Sequence, residues 1–138
     1  MLALLLAACT AAACPPPESA ERTELRERLW PIAKMSPCPG PPTPRIFQAR
    51  HAALHRGRGA LLERVRGSPL AEDLARINRE QQELERIVNE GDCAVPFWNR
   101  PEDPENIATY PALLEAKERE LQAAEAAFAR ASAACPPG

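Results

Sequence analysis

The chain has 138 residues, with 17 basic and 19 acidic side chains and a formal net charge of −2. This length suits one small domain and leaves no room for two. The near balance of charge argues against a general nucleic-acid binder. Alanine, leucine, glutamate and arginine are abundant while β-branched residues are scarce, which favours an all-α fold.

The chain begins with an apolar run, Met1 to Ala8, that is far shorter than the about 20 residues a transmembrane helix takes. We interpret it as a targeting segment that lies outside the fold. The residues Leu6-Ala7-Ala8-Cys9 resemble the lipobox of bacterial lipoprotein signal peptides. The resemblance implies cleavage before Cys9 and attachment of lipid to its sulfur, with palmitate as an expected acyl group.

A lipobox implies a bacterial cell-envelope protein. Thr10 follows the cysteine, whereas an Asp there keeps lipoproteins of enteric bacteria at the inner membrane, so the resemblance suggests the outer membrane, facing the periplasm. Two alternatives are secretion with cleavage after residues 11–13 and a cytosolic chain with an apolar start. The expected division is a signal peptide at 1–8, lipidated cysteine and tether at 9–17, helical domain at 18–135 and tail at 136–138.

Apolar spacing predicts a short first helix and a longer second one. The first should run from Glu18 to Trp30 and end or kink at Pro31, because proline removes a helical hydrogen bond. After a proline-rich connector, the second should begin at Thr43-Pro44 and run to Arg66. Residues at helical intervals give the predicted stripes: Leu25, Leu29 and Ile32 in the first helix, and Phe47, Leu54 and Leu61 in the second, with Ile46, Ala53, Leu62 and Val65 beside them.

The central helix, Ser68 to Gly91, has the clearest pattern, because only Gln81 interrupts its apolar stripe. Ser68 is a good capping residue for its first turn. The Gly67-Ser68 joint is so short that the second and central helices must run antiparallel. The stripe consists of Leu70, Leu74, Ile77, Leu84 and Val88.

A last helix is predicted from Pro111 to about Ala134, with apolar residues recurring every seven positions: Leu114, Leu121 and Phe128, with Ala124 and Ala131 on the same side. The predicted fold is therefore all-α, a small up-and-down bundle of three long helices and one short N-terminal helix. The alternative is a dimeric coiled coil, and the sequence leaves the oligomeric state open.

Five cysteines are available to close so thin a core. If Cys9 carries lipid, alternating helix directions bring Cys38 and Cys93 to one end of the bundle and Cys14 and Cys135 to the other. We therefore predict disulfides Cys38–Cys93 and Cys14–Cys135, each stabilising by roughly 2–4 kcal/mol. The alternative is reduced thiols in a cytosolic protein. A zinc site has less support, because no paired C-x-x-C is present.

Two surfaces are candidates for binding. The irregular segment 92–110 carries Phe97, Trp98 and Arg100, residue types that are favoured at interface hot spots, and the alternative is that its two aromatic rings cap the core. The second helix carries six arginines and one acid. These arginines either complement the acidic central helix or meet an anionic surface, and the candidates for the latter are Arg50, Arg56 and Arg58.

The sequence offers no Ser-His-Asp set, nucleophile elbow or phosphate-binding glycine loop. His51 and His55 are four apart, a spacing that can hold a metal, but a metalloprotease would have Glu where Ala52 stands, so we expect surface histidines. We predict no catalytic residue, cofactor, metal or small-molecule substrate. The expected function is a non-enzymatic, lipid-anchored accessory or scaffold that binds an envelope protein, and the alternative is a soluble secreted module that binds or inhibits another protein.

Overall fold

A computed structural model describes residues 14–33, 40–87 and 100–135. These residues form four α-helices and no strand, which confirms the all-α prediction. A single 3-10 turn, Arg45–Phe47, leads into the second helix. The helices are α1 (Ala20–Ala33), α2 (Gln48–Arg66), α3 (Ala71–Ile87) and α4 (Pro104–Ala133).

Successive helices alternate in direction, as predicted, but their order around the bundle is α1, α3, α2, α4. Both α1 and α2 pack closely against α3 and α4, so α1 lies diagonally across from α2, and α3 from α4. The order of side-chain contacts along the helices shows that α1 runs parallel to α3 and antiparallel to α4. The short α2–α3 corner makes this pair antiparallel, whereas α2 and α4 are parallel.

The predicted stripes form most of the core. In α1 and α4 they are buried as expected. In the stripe of the second helix, Phe47 and Leu62 are only partly buried. Ile46, in the 3-10 turn before α2, and Ala53 are exposed. In α3 the prediction is wrong at Leu84, which is 47% exposed. Val88 lies outside the described residues. The buried stripe residues include Leu25, Leu29, Ile32, Leu54, Leu61, Val65, Leu70, Leu74, Ile77, Leu114, Leu121, Ala124, Phe128 and Ala131.

Several helix boundaries differ from prediction: α2 and α3 each begin a few residues later than expected, and two further differences involve proline. α1 continues through Pro31 to Ala33, since Ile32 is buried at the end of its stripe. α4 begins at Pro104 and contains Pro111, which the sequence placed at its start. An internal proline costs about 3 kcal/mol. The burial of the Tyr110 ring and the two hydrogen bonds that Asn106 Nδ2 donates, both in the first turns of α4, offset that cost.

The close approach of α2 and α4 requires a residue without a side chain at position 57. A Cβ atom on Gly57 would lie 2.7 Å from Cδ2 of Leu121, whereas one on Gly59 would meet nothing within 4 Å. Gly57 therefore permits the α2–α4 contact, while Gly59 only weakens the helix. At the following corner, the Ser68 hydroxyl accepts a hydrogen bond from the Leu70 N–H at 3.1 Å. Because α3 begins only at Ala71, Ser68 stabilises the turn before the helix and not, as predicted, the first turn of the helix.

Candidate functional site

One end of the bundle, which we call the cysteine end, contains Cys14, the corner at residues 65–70 and Cys135. A disulfide joins Cys14, six residues before α1, to Cys135, just after α4. This is one of the two disulfides that the sequence predicts. The other, Cys38–Cys93, lies outside the described residues, as does Cys9. The covalent bond fixes the chain that enters α1 against the end of the longest helix.

A buried ionic cluster lies beside the disulfide. The Asp73 carboxylate, 2% exposed, accepts a hydrogen bond from Arg22 Nε at 2.9 Å and another from Arg26 Nη1 at 2.7 Å. The two guanidinium groups also donate to the carbonyl oxygens of Pro15 and Pro17. Asp73 of α3 therefore holds both α1 and the segment that leads into it from the disulfide.

The opposite end of the bundle, which we call the distal end, consists of residues 40–51 and 100–110. Here the buried side chain of Asn106 donates from Nδ2 to the carbonyl oxygens of Pro42 at 2.7 Å and Pro101 at 3.0 Å. The Glu102 carboxylate accepts a hydrogen bond from the Arg45 N–H at 2.8 Å. These contacts tie the segment before α2 to the segment before α4.

A chain of polar contacts continues from the distal end along α2 and α4. The Tyr110 hydroxyl lies 2.9 Å from the Thr43 hydroxyl and 2.9 Å from His51 Nδ1. The Tyr110 ring is buried and stacks on Phe47, with a centroid distance of 5.5 Å. Tyr110 thus satisfies its polar atom inside the bundle and fixes the ring of His51.

His51 and His55 lie side by side on α2, with ring centroids 4.4 Å apart in an edge-to-face arrangement. Burial, and then the neighbouring charges of His55, Lys117 and Arg58, lower the pKa of His51 below its usual value. Both effects favour the neutral form of the His51 imidazole. His55 is exposed to solvent.

The predicted partner-binding residues fall partly within the structure. Phe97 and Trp98 lie outside the described residues. Arg100 is exposed at the distal end, where its guanidinium is 3.5 Å from the Asp103 carboxylate. The expected irregular segment 92–110 is too long, because its last seven residues, 104–110, are the first turns of α4.

The three arginines proposed for an anionic surface have different surroundings. Arg50 pairs with Glu118 of α4. Arg58 donates from Nη2 to the carbonyl oxygen of Ile32 at 2.9 Å, so it caps the end of α1. Arg56 is exposed. The ion pairs described for α2 include that of Arg50 with α4 and one within α2, between Arg66 and Glu63.

An open groove of 480 Å³ runs between α1 and α3, with Trp30 in its wall. The two arginines that line it are already held by carboxylates: Arg26 by Asp73, and Arg76 by Glu80 and Glu18. The groove is thus a seam of ion pairs. Within the described ranges, no three His, Cys, Asp or Glu side chains converge to hold a metal, and no helix is long and apolar enough to cross a membrane.

Sequence reasoning missed the Arg22–Asp73–Arg26 cluster and the roles of Asn106 and Tyr110. A signal for the cluster was present, because Arg22 continues the α1 stripe three residues before Leu25, and Asp73 adjoins Leu74. A charged residue on an apolar stripe must be paired if it is buried. No comparable pattern marks Asn106 and Tyr110, since the sequence placed both outside the helix.

Comparison with known proteins does not supply a family. The chain matches no protein-family model, and no similar curated protein or solved structure was found.

Proposed function

We propose that the mature protein is a non-enzymatic, lipid-anchored protein of the bacterial cell envelope that presents its distal end to an envelope protein partner. The observation that supports this most is the Cys14–Cys135 disulfide. Structural disulfides are typical of exported proteins and rare in the cytosol. In this chain the bond also lies at the end of the bundle that follows the lipobox, five residues after Cys9.

The disulfide that follows the proposed anchor and the described part of the proposed contact surface lie at opposite ends of the bundle. α4 has 30 residues and joins the two ends, so its length of about 45 Å separates Cys135 from the distal end. A lipid on Cys9 would hold the cysteine end at the membrane surface. The distal end would then extend away from the outer membrane into the periplasm.

The described polar groups favour binding over catalysis. Asp73 is held by two arginines, Asn106 by two backbone carbonyls, and Tyr110 by Thr43 and His51. These groups position helices and chain ends. The exposed side chain of Arg100 and the adjoining segment with Phe97 and Trp98 then serve as the contact surface, and the proposed Cys38–Cys93 bond closes the same end.

Membrane fractionation tests the anchor. In a bacterial host, the natural protein should sediment with membranes in the oxidised form, and Cys9→Ser should release it to the soluble fraction. A natural protein that is exported yet soluble would favour the secreted module that binds or inhibits another protein. A cytosolic protein with free thiols would refute both functions.

Site-specific photo-crosslinking tests the distal contact. A photoreactive amino acid at Arg100 should give a defined crosslinked product in intact cells. The matched control is the same amino acid at Ala133, which is exposed near the other end of α4, and it should give no such product. Identical products from both positions, or none from either, would contradict a partner at the distal end.

The anionic-surface proposal now depends on a different pair of arginines. Arg58→Glu would disturb the end of α1, so a double variant of Arg45 and Arg56, both exposed, is the better test. Changing both to Glu should abolish binding to vesicles that contain anionic phospholipid, with Arg66→Glu as a control from the other end of α2. Unchanged binding would leave the arginines as a solvated helix face.

A further inference from the structure

The only two histidines of the chain adjoin each other on α2. Residues four apart on a helix lie on the same face, and the ring centroids of His51 and His55 are 4.4 Å apart. A ring nitrogen about 2.0–2.1 Å from a metal ion places the ring centroid roughly 3 Å from that ion. Two rings bound at about a right angle would therefore have centroids a little over 4 Å apart, close to the observed separation.

His51 is fixed in the way that a metal ligand requires. Its Nδ1 lies 2.9 Å from the Tyr110 hydroxyl, which in turn lies 2.9 Å from the Thr43 hydroxyl. When Nδ1–H donates to Tyr110 and Tyr110 donates to Thr43, the Nε2 atom of His51 keeps its lone pair. A metal-bound histidine characteristically donates its other N–H to such a partner, which fixes the tautomer and the ring orientation.

We propose that His51 and His55 form a two-imidazole site for a late first-row transition-metal ion, with Cu²⁺ the most tightly bound and water in the remaining coordination positions. Imidazole nitrogen suits Cu²⁺, Ni²⁺ and Zn²⁺, and affinities for such ligands peak at Cu²⁺. Tyr110 is a positioning residue, since it contacts His51 and not the metal. This site depends on neither the lipid anchor nor the distal partner.

The groups around the pair set the conditions for binding. Lys117 and Arg58 carry positive charge near His51 and oppose a dication. They also disfavour protonation of the imidazole, so His51 is in the neutral form that binds metal. Glu118 pairs with Arg50, one residue before His51, and so offsets part of the positive charge on this stretch of α2.

Titration of the full chain with Cu²⁺, after alkylation of any free thiols, tests the site. We expect one ion per chain and an electron paramagnetic resonance spectrum with coupling to two imidazole nitrogens. Because the chain has no other histidine, this coupling can come only from His51 and His55. His55→Gln, which changes an exposed side chain, should remove the two-nitrogen signal and weaken binding.

Two further variants separate positioning from folding. Tyr110→Phe should weaken Cu²⁺ binding by about tenfold, the lower end for loss of an outer-shell partner, while it keeps two-nitrogen coupling. Arg56→Gln, an exposed neighbour of His55, should leave binding unchanged or slightly stronger. Natural affinity and spectrum in His55→Gln would overturn the site. Unchanged affinity in folded Tyr110→Phe would overturn the role of the hydroxyl.

Discussion

Replacing Asp73 with asparagine should be among the most destabilising single changes in this protein. The carboxylate is 2% exposed and pairs with the guanidinium groups of both Arg22 and Arg26, whose side chains are 9% and 11% exposed. Asparagine keeps the shape of the side chain and one acceptor oxygen but removes the charge. The two arginines would then face each other without their shared anion.

Removal of one member of a buried ion pair typically costs about 3–5 kcal/mol. We expect about 3 kcal/mol here, because Arg22 and Arg26 keep hydrogen bonds to the carbonyl oxygens of Pro15 and Pro17. Small domains have total stabilities of about 5–15 kcal/mol, so the loss is a large fraction. It should lower Tm by roughly 10–20 °C.

Urea unfolding, followed by the circular dichroism signal of the helices, measures this loss. The free energy of unfolding falls linearly with urea concentration, with slope m. The midpoint should fall for Asp73→Asn with no change in the slope m. The control is Glu72→Gln, which removes a neighbouring acid whose partner Arg79 is exposed and should cost about 0–1 kcal/mol. Equal losses for the two variants would refute the claim that the buried cluster holds α1 to α3.

Three other changes give distinct outcomes. Gly59→Ala should stabilise the protein by about 1 kcal/mol. Gly57→Ala must displace Leu121, so it should be at least about 1 kcal/mol less stable than Gly59→Ala. Equal thermal denaturation midpoints for the two variants would contradict the close approach of α2 and α4. The pKa of His51 is lower in the folded than in the unfolded state. The stability that His51 contributes is therefore complete above the unfolded pKa of about 6.5 and is lost as the pH falls. Tm should drop more between neutral and mildly acidic pH in the natural protein than in His51→Gln, and parallel profiles would show that His51 is not the source of the pH dependence. Cys135→Ser should cost about 2–4 kcal/mol by guanidinium unfolding, and an unchanged midpoint would show that the bond is not formed.

Much of the helical core could be predicted from residue spacing alone. Leu114, Leu121 and Phe128 repeat every seven residues in α4 and are all buried, because a helix returns the same face at that interval. The position of Cys14 beside Cys135 also followed from counting helix directions. These features depend on local helix geometry and on the number of times the chain reverses direction, and both can be read from the sequence.

The order of the helices around the bundle could not be predicted in the same way. The α2–α3 joint is short enough to force adjacency, but the segments at 34–44 and 88–103 contain enough residues to cross a diagonal as easily as to join neighbours. The spacing of residues therefore predicted the direction in which α1 runs but not the helices against which it packs. The pairing of α1 with α3 depends on specific contacts, above all those of Arg22 and Arg26 with Asp73.

Helix boundaries at proline were the other source of error. Proline disfavours a helix interior in an isolated segment, and on that rule α1 should end at Trp30 and α4 should begin at Pro111. Tertiary contacts override the rule at both places. Arg58 caps the end of α1 from another helix, and Tyr110 is anchored by two side chains from outside α4. Such contacts link residues that are far apart in the chain, so no local sequence pattern predicts them.

The mass of the intact mature protein from its natural host, measured before and after reduction, tests the central claim most directly. We expect a chain that begins at Cys9 with attached acyl groups and gains hydrogens on reduction, with Cys14 and Cys135 among the oxidised residues. A chain that keeps Met1, carries no lipid and has the same mass before and after reduction would contradict the envelope location, the disulfide-closed bundle and the proposed function together.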